Sequence, residues 1–239
     1  MATSEFAGQP ADPSILVDLQ ALEDAYYSGR PDPSEPTQRV AFGTSGHRGS
    51  SLNTAFNEDH IVATTAAIVA FRQAQGIEGP LFMGRDTHAL SEPAFLTALE
   101  VLVAADVDVR IDVADGFTPT PGISHAILTW NREHPDVQAD GIVVTPSHNP
   151  PADGGFKYNP PTGGPADAAM TRTIQDAANA LLADGVARVA RVPAPRAKAA
   201  AERYDYQGIY AASLGEVIDL AAIATSGLRI GVDPLGGAA

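Results

Sequence analysis

Short apolar runs alternate with longer amphipathic segments along most of this 239-residue chain. The runs at 81–83, 107–113 and 142–144 have the length and composition of strands, and the segments between them repeat apolar residues at helical spacing. Strands that alternate with helices predict a largely parallel sheet with helices on both faces. We therefore expect an α/β fold, specifically a three-layer α/β/α sandwich.

One stretch, 141–159, makes the predicted sheet mixed. The apolar run 142–144 suits a strand buried on both faces, and Pro146 ends it because proline cannot donate to a ladder. After a glycine-containing turn, 156–158 has the pattern of a strand that returns antiparallel to the first. Ser147 therefore lies just past a strand end, where open α/β sheets gather their functional groups.

The remaining segments give the domain organisation. The pattern predicts a strand at 39–42 that leads into a loop, a closing strand at 228–232, and helices at 13–27, 57–76, 91–103, 120–130, 167–182 and 204–224. We divide the chain into an N-terminal helix and linker (1–38), a first domain (39–202) that ends in a solvated basic link (184–202), and the start of a second, similar domain (203–239). The second domain is expected to be truncated, because its closing strand has nothing to pair with.

Composition excludes several classes of function. The chain is 44% hydrophobic and 18% charged, as in globular proteins, and it has a net charge of −14, which argues against a nucleic-acid partner. It has no cysteine, so disulfides, thiolate nucleophiles and thiolate zinc sites are excluded. We find no apolar run of membrane-spanning length and no signal peptide, so we predict no membrane association and a cytoplasmic location.

The segment 43–49 is a candidate ligand loop. Its three glycines permit close backbone approach, and Arg48 is of the type that binds phosphate through two hydrogen bonds. It fails the G-x-S-x-G nucleophile elbow, since His47 stands at the final glycine position, and it is not a Walker loop. A flexible surface loop with an incidental arginine is the alternative.

The loop after 142–144 carries the strongest chemical candidates. Three prolines make it stiff, and a returning strand would bring Lys157 beside Ser147 and His148. A hydroxyl, an imidazole and an ammonium would then share one corner. The alternative is an ordinary turn, because serine, asparagine and proline are frequent in turns of every kind. Arg85 and Asp86, which follow the strand at 81–83, fit an ion pair or a helix cap better than a substrate contact.

Two of these loops together resemble a known family. Thr145-Pro146-Ser147-His148-Asn149-Pro150 is similar to the phosphoserine loop of the α-D-phosphohexomutases, and 156–159 fits its continuation. The segment 43–49 resembles the first active-site loop of that family, and 231–237 also fits. The nearest resemblance is to the bacterial phosphoglucomutase branch.

The resemblance implies a phosphoryl-transfer site. Members interconvert glucose 1-phosphate and glucose 6-phosphate, or related hexose phosphates, through a bisphosphate, and the match makes Ser147 the phosphorylated serine. Arg48, His148 and Lys157 would neutralise its charge. Lys157 is the best candidate to move the proton, while His148 could share that role or orient the phosphate. The residues implied in substrate binding are Thr44, Ser45, His47, Arg48 and Asn149.

The resemblance also implies Mg²⁺, with phosphorylated Ser147 as one ligand, and glucose 1,6-bisphosphate as activator. The family's aspartate ligands lie in a D-G-D-x-D run, which this sequence lacks, so we expect them beyond residue 239. The partners are then a hexose phosphate substrate and the C-terminal domains of the same polypeptide, and the 239-residue chain alone should show negligible mutase activity. Three alternatives stay open, namely a mutase for mannose or glucosamine phosphates, a non-catalytic sugar-phosphate or protein-binding module, and a serine hydrolase using Ser45 or Ser147.

Overall fold

A six-stranded mixed sheet with helices on both faces forms the centre of the protein. The computed structural model describes residues 7–43 and 46–238. The strands are β1 (Gly46–Ser50), β2 (Leu81–Arg85), β3 (Val109–Asp112), β4 (Asp140–Val144), β5 (Asp153–Asn159) and β6 (Glu202–Tyr204). The helices are α1 (Leu19–Ser28), α2 (Glu58–Gln75), α3 (Ser91–Ala104), α4 (Thr120–Glu133), α5 (Ala168–Asp184), α6 (Ala194–Ala200), α7 (Tyr206–Ser213) and α8 (Leu220–Thr225).

The strand order is β1-β5-β4-β2-β3-β6. Neighbours from β4 to β6 are parallel, whereas β5 runs antiparallel to both β4 and β1. The returning strand is therefore confirmed, and its register places Lys157 opposite Val143. The expected α/β/α sandwich with a mixed, mostly parallel sheet is confirmed as well.

Each face of the sheet packs against its own apolar core. Successive residues of a strand point to opposite faces, so one apolar strand contributes to both cores. On β4, Ile142 and Val144 join the larger core beneath α2, α3 and α5. Val143 joins a smaller core with Phe82 of β2, Ile127 of α4 and Tyr206 of α7. Complete burial of β4 on both sides explains why its sequence is continuously apolar.

The N-terminal helix is shorter than predicted. A single 3₁₀ turn covers Pro13–Ile15, and α1 begins only after Asp18, whose side chain accepts a hydrogen bond from the Ala21 N–H. Leu22 is fully buried, but Leu16 and Leu19 are exposed. Apolar spacing alone therefore placed the start of this helix too early.

The predicted strand at 39–42 is wrong, and the predicted loop after it contains β1. The Val40 N–H donates to Asn179 Oδ1 at 2.9 Å and the Phe42 N–H donates to Gln175 Oε1 at 2.8 Å. Side chains of α5 thus occupy the hydrogen-bonding groups that a neighbouring strand would have used. Among the described residues, the one bridge that this segment makes joins Phe42 to His47.

The basic segment 184–202 is packed, which corrects its prediction as a solvated link. Arg191 lies 2.7 Å from Glu58 of α2 and 2.6 Å from Glu100 of α3. Ala197 of α6 is fully buried, and β6 then adds an edge strand to the sheet. Acidic residues from distant helices hold this segment against the domain, a feature that local composition does not reveal.

The C-terminal part also differs from prediction. A single helix over 204–224 is replaced by β6, α7, a 3₁₀ turn and α8, and Tyr206 at the start of α7 is buried. Within the described residues, 228–232 pairs with no strand, and Val232 is 85% exposed. β6 crosses the predicted boundary at 202/203, while a second domain in 203–239 stays a prediction. No helix in the described ranges has the length and apolarity needed to cross a bilayer.

A buried ion pair connects α2 to the first residue of β4. Arg72 of α2 forms an ion pair with Asp140, and both side chains are almost completely inaccessible to solvent. The Tyr158 hydroxyl donates to Asp140 Oδ2 at 2.7 Å, and Arg72 also donates to the Gly79 carbonyl at 2.7 Å. Asp140 therefore neutralises a guanidinium that has no access to water.

The first prediction is that Asp140→Asn lowers the free energy of unfolding by about 3–5 kcal/mol, because it leaves the buried Arg72 charge without its counter-ion. Urea unfolding at neutral pH measures the change. Glu202→Gln is the matched control, since it removes one partner of an exposed pair with Arg110 and should cost at most about 1 kcal/mol. Equal losses in the two variants would contradict the role assigned to Asp140.

Candidate active site

The sheet has a topological switch point between β2 and β4. From β2 the chain passes through α3 to β3 on one side, and α4 then carries it back to β4 on the other side of β2. Loops that leave the carboxyl ends of such diverging strands enclose a crevice, which is where ligands bind in open α/β sheets. A cleft of about 640 Å³ lies here, lined by 86–88, 118–120, 145–147 and 234–238, together with Asn149 and Pro151.

Ser147 lies in this cleft, immediately after β4. Its side chain is exposed, its N–H donates to Thr145 Oγ1 at 3.1 Å, and its φ is 72°. A positive φ is uncommon for a residue with a Cβ, and such conformations persist where surrounding contacts enforce them, often at functional sites. The strained backbone turns the hydroxyl away from the strand and into the cleft.

The imidazole of His148 lies beside this hydroxyl. His148 Nδ1 lies 3.4 Å from Ser147 Oγ, and both side chains are exposed. Asn149 also lines the cleft, and its Nδ2 donates to Asp153 Oδ2 at 3.2 Å. These three residues are consecutive in the chain, so their proximity does not test the predicted corner that Ser147 and His148 would share with Lys157.

Arg48 approaches the same loop from the edge of the sheet. It stands on β1 opposite Gly155, and its Nε donates to the Pro146 carbonyl at 3.3 Å. A Cβ on Gly155 would lie 2.2 Å from the Thr145 carbonyl oxygen. Glycine at 155 therefore lets the serine loop cross β5 closely enough for the guanidinium to reach it.

Lys157 lies on the same face of the sheet as Arg48, but further back. It pairs with Gly46 and with Val143, which is four residues before Ser147, and no hydrogen bond joins it to Ser147 among the described residues. Burial lowers the pKa of its ammonium, and the Arg48 charge lowers it further, while Asp86 opposes both effects. A depressed pKa suits a group that exchanges a proton with substrate, although the structure does not place Lys157 beside the serine.

His47 faces away from the cleft. It alternates with Arg48 along β1 and is 1% exposed, with its ring stacked 5.2 Å from that of His60 and 5.8 Å from that of Phe56. Its Nδ1 lies 3.3 Å from the Ala41 carbonyl oxygen. The imidazole predicted to bind substrate is thus a core group in this structure, and burial lowers its pKa to about 3.

Other predicted residues fall into two groups. Thr44 and Ser45 lie outside the described residues. Arg85 forms an ion pair with Glu92 and donates to the Asp115 carbonyl at 2.9 Å, and Asp86 Oδ1 accepts from Ser91 Oγ at 2.6 Å. Arg85 thus forms the ion pair that the sequence favoured. Asp86 does not cap α3, whose N-cap is Leu90, and it lines the cleft instead.

Sequence reasoning missed several residues that line the cleft. Thr87 and His88 follow β2, and Thr118 and Thr120 precede or begin α4. Each lies on the side of the sheet where β2, β3 and β4 end. They could have been found from their position directly after a predicted strand. Residues that follow the carboxyl ends of parallel strands converge on one edge of the sheet.

The described residues were compared with the expected Mg²⁺ site. They contain no group of three or more histidine, aspartate or glutamate side chains arranged to hold a metal ion. An oxygen of phosphorylated Ser147 would be a single ligand, whereas Mg²⁺ demands octahedral oxygen coordination. The residues in this cleft therefore do not make a Mg²⁺ site by themselves.

Comparison with known families agrees with this arrangement. A family model described as "Phosphoglucomutase/phosphomannomutase, alpha/beta/alpha domain I" matches residues 39–183. The chain belongs to this family. The match covers β1 to β5 and the helices between them, and so includes both Arg48 and Ser147.

Individual relatives of the phosphoglucomutase/phosphomannomutase family are similar over different lengths. The chain is 57% identical over 239 residues to a phosphoglucomutase of Komagataeibacter xylinus, which is 99% of this chain and 43% of that relative. A phosphoglucosamine mutase of Deinococcus radiodurans is 30% identical over 206 residues, 85% of this chain and 42% of that one. The chain thus spans less than half the length of these relatives.

Solved structures of family members share the fold. A protein of Thermus thermophilus described as a phosphomannomutase superposes with a TM-score of 0.58 at 25% identity, covering 81% of this chain and 38% of that one. The open form of parafusin, a phosphoglucomutase from Paramecium, superposes with a TM-score of 0.50 at 28% identity, covering 63% of this chain and 26% of that one.

The second prediction concerns the buried His47. Its folded-state pKa of about 3 lies below the ordinary value of 6.5, so the unfolded state binds one more proton between these values. Stability contributed by neutral His47 is present above pH 6.5 and is lost as pH falls towards 3, by up to about 1.4 kcal/mol per pH unit. Urea unfolding of the wild type and His47→Phe between pH 6.5 and 4.5 should show the shallower slope in the variant.

The exposed His134 provides the control for this measurement. His134→Gln should keep the wild-type dependence of unfolding free energy on pH. If His47→Phe and the wild type have the same slope, the buried imidazole does not control acid stability.

Proposed function

We propose that this polypeptide is a phosphoglucomutase that interconverts glucose 1-phosphate and glucose 6-phosphate through a phosphorylated Ser147 and glucose 1,6-bisphosphate. The observation that carries the proposal is the position of Ser147, strained and exposed at the switch-point cleft, with Arg48 bonded to its loop. The 57% identity to a protein named phosphoglucomutase supports glucose as the sugar. A cytoplasmic location follows as part of the same proposal.

The phosphoryl group moves between two oxygens. In the forward step the bond from phosphorus to Ser147 Oγ breaks, and a bond forms from phosphorus to the free hydroxyl of the hexose phosphate, which loses its proton. In the return step the bisphosphate gives its other phosphoryl group to Ser147. Such a transfer depends mainly on positioning and on neutralising charge, which a strained serine on a stiff loop and the Arg48 guanidinium provide.

Two groups are available for the proton. Lys157, whose pKa is lowered by burial, would accept it from the sugar hydroxyl when its ammonium is deprotonated. His148 is closer to Ser147 Oγ and would protonate that oxygen as it leaves, or orient the phosphate. We assign the sugar hydroxyl to Lys157, because its lowered pKa suits a base, whereas His148 lies beside the serine oxygen.

Magnesium and the remaining parts of the site belong to the proposal as well. We propose that phosphorylated Ser147 supplies one Mg²⁺ ligand and that aspartates beyond residue 239 supply others, with glucose 1,6-bisphosphate as activator. The metal would neutralise charge on the phosphoryl group. Since the described residues make no complete Mg²⁺ site, we propose that this 239-residue chain alone turns over poorly.

Other sugars are the main alternative. Relatives named phosphoglucosamine mutase are 36% and 30% identical to this chain, and a phosphomannomutase is among the similar structures. These relatives belong to one family but are named for different sugar phosphates, so a mannose or glucosamine phosphate stays a second candidate as substrate. A non-catalytic sugar-phosphate-binding module would show binding without phosphorylation of Ser147.

The third prediction is that incubation with glucose 1,6-bisphosphate phosphorylates Ser147 and that Ser147→Ala abolishes this labelling. The reason is that the hydroxyl that accepts the phosphoryl group must be exposed in the cleft and held in place by a stiff loop. Phosphopeptide mapping by mass spectrometry gives the site. Ser34→Ala, at an exposed serine that does not line the cleft, serves as the matched control and should retain labelling at Ser147. Phosphate found on Ser45, with Ser147→Ala still labelled, would overturn the assignment.

The fourth prediction separates the two proton carriers. Starting from phosphorylated protein, Lys157→Ala should slow single-turnover transfer to glucose 1-phosphate by roughly 10²–10⁴-fold, since general base catalysis contributes about that much. His148→Ala should slow it less if the imidazole only orients the phosphate. Quench-flow measurement of phosphoserine loss decides between them, and a larger defect in His148→Ala would reverse the assigned roles.

A further inference from the structure

We propose that His88 is a positioning residue that fixes the far end of the Ser147 loop. The inference rests on the proposed function, because it concerns the serine that would carry the phosphoryl group. His88 lies on the loop that joins β2 to α3 and lines the same cleft, and no hydrogen bond joins it to Ser147 in the part of the chain described. It would therefore act through the loop and not on the reacting atoms.

Both ring nitrogens of His88 have partners. The Leu90 N–H donates to His88 Nδ1 at 3.1 Å, which requires that nitrogen to be unprotonated. Nε2 therefore carries the proton, and it lies 2.8 Å from the Pro151 carbonyl oxygen, to which it donates. One nitrogen thus anchors the imidazole to its own loop, and the other reaches across to the serine loop.

The same β2–α3 loop also holds the near end of the serine loop. The Asp86 N–H donates to the Val144 carbonyl at 3.1 Å, at the last residue of β4. Asp86 Oδ1 in turn accepts from the His88 N–H at 3.0 Å, so the two contacts belong to one rigid turn. Ser147 lies between the two attachment points, three residues after the first and four before the second.

Carbonyl attachments matter here because the loop has few donors of its own. Pro146, Pro150 and Pro151 have no N–H, so the backbone around Ser147 is fixed mainly through its oxygens. Arg48 takes the Pro146 oxygen, Asp86 takes that of Val144, and His88 takes that of Pro151. A residue held at a φ of 72° persists only where its surroundings over-determine it, and His88 supplies the only one of these three contacts that follows the serine.

The side chain chemistry provides a matched pair of variants. His88→Asn keeps an acceptor near the position of Nδ1, and so keeps the bond from Leu90, but it cannot reach Pro151. His88→Gln places an amide N–H near the position of Nε2 and restores the donor to Pro151. His134→Asn makes the same substitution at the opposite end of α4 from the cleft and serves as the control.

Three quantities are measured in each variant. They are the hydrogen exchange of the amides in 147–153, the rate of phosphoryl transfer from glucose 1,6-bisphosphate to Ser147, and the free energy of unfolding in urea. We expect His88→Asn to speed exchange in this loop by about tenfold, the loss of one hydrogen bond, and to slow transfer by about 10- to 100-fold. His88→Gln should recover most of both, and unfolding should stay close to that of His134→Asn.

Two outcomes overturn the inference. One is wild-type exchange and transfer in His88→Asn, and the other is a uniform rise in exchange across all amides, which would mark a general structural role. If wild-type protein acquires no phosphate on Ser147, the proposed function fails. The exchange comparison between His88→Asn and His88→Gln still decides whether His88 fixes the loop.

Discussion

The position of β5 determines the geometry of the candidate site. It runs against its neighbours and lies between β1 and β4, so it joins the strand that carries Arg48 to the strand that ends at Ser147. This pairing depends on glycine at 155, since any Cβ there would collide with the Thr145 carbonyl. Arg48 can therefore reach the Ser147 loop only because the backbone of that loop crosses β5 closely at Gly155.

Charge adds a second constraint on this corner. The chain carries −14 overall, yet Arg48 and Lys157 share one face of the sheet close to the loop. Burial, and after it the repulsion between these two cations, lowers the pKa of Lys157, and an added phosphate dianion would relieve that repulsion. Under the proposed function, the phosphate on Ser147 would therefore gain from these two cations, even though the chain as a whole is acidic.

Much of this fold could be predicted from the sequence, because the apolar run of β4 and the glycine turn before the apolar part of β5 together favour two adjacent antiparallel strands. Continuous apolar residues require burial on both faces, and the glycine turn requires the chain to return. β1 could not be placed in the same way, since α5 side chains more than 130 residues away occupy the groups of 39–42. Without that strand, the opposite directions of His47 and Arg48 could not be seen.

The same distinction holds for the candidate site. Ser147, His148 and Asn149 are neighbours in sequence and stay neighbours in space, so a local motif finds them. His88 and Thr118 reach the cleft only because two helices return the chain to one edge of the sheet. A turn brings two strands together but does not give their register, so the pairing of Lys157 with Val143 could not be predicted.

The conformation of Ser147 has a consequence for the evolution of the loop. A left-handed backbone costs a residue with a Cβ about 1–2 kcal/mol, whereas glycine at such a position loses only about 0.5–1 kcal/mol of chain entropy. Glycine would therefore be tolerated at least as well as serine at position 147 on stability grounds. Selection for folding alone would favour glycine over serine at position 147. Under the proposed function, the hydroxyl of Ser147 is therefore kept at a cost in stability.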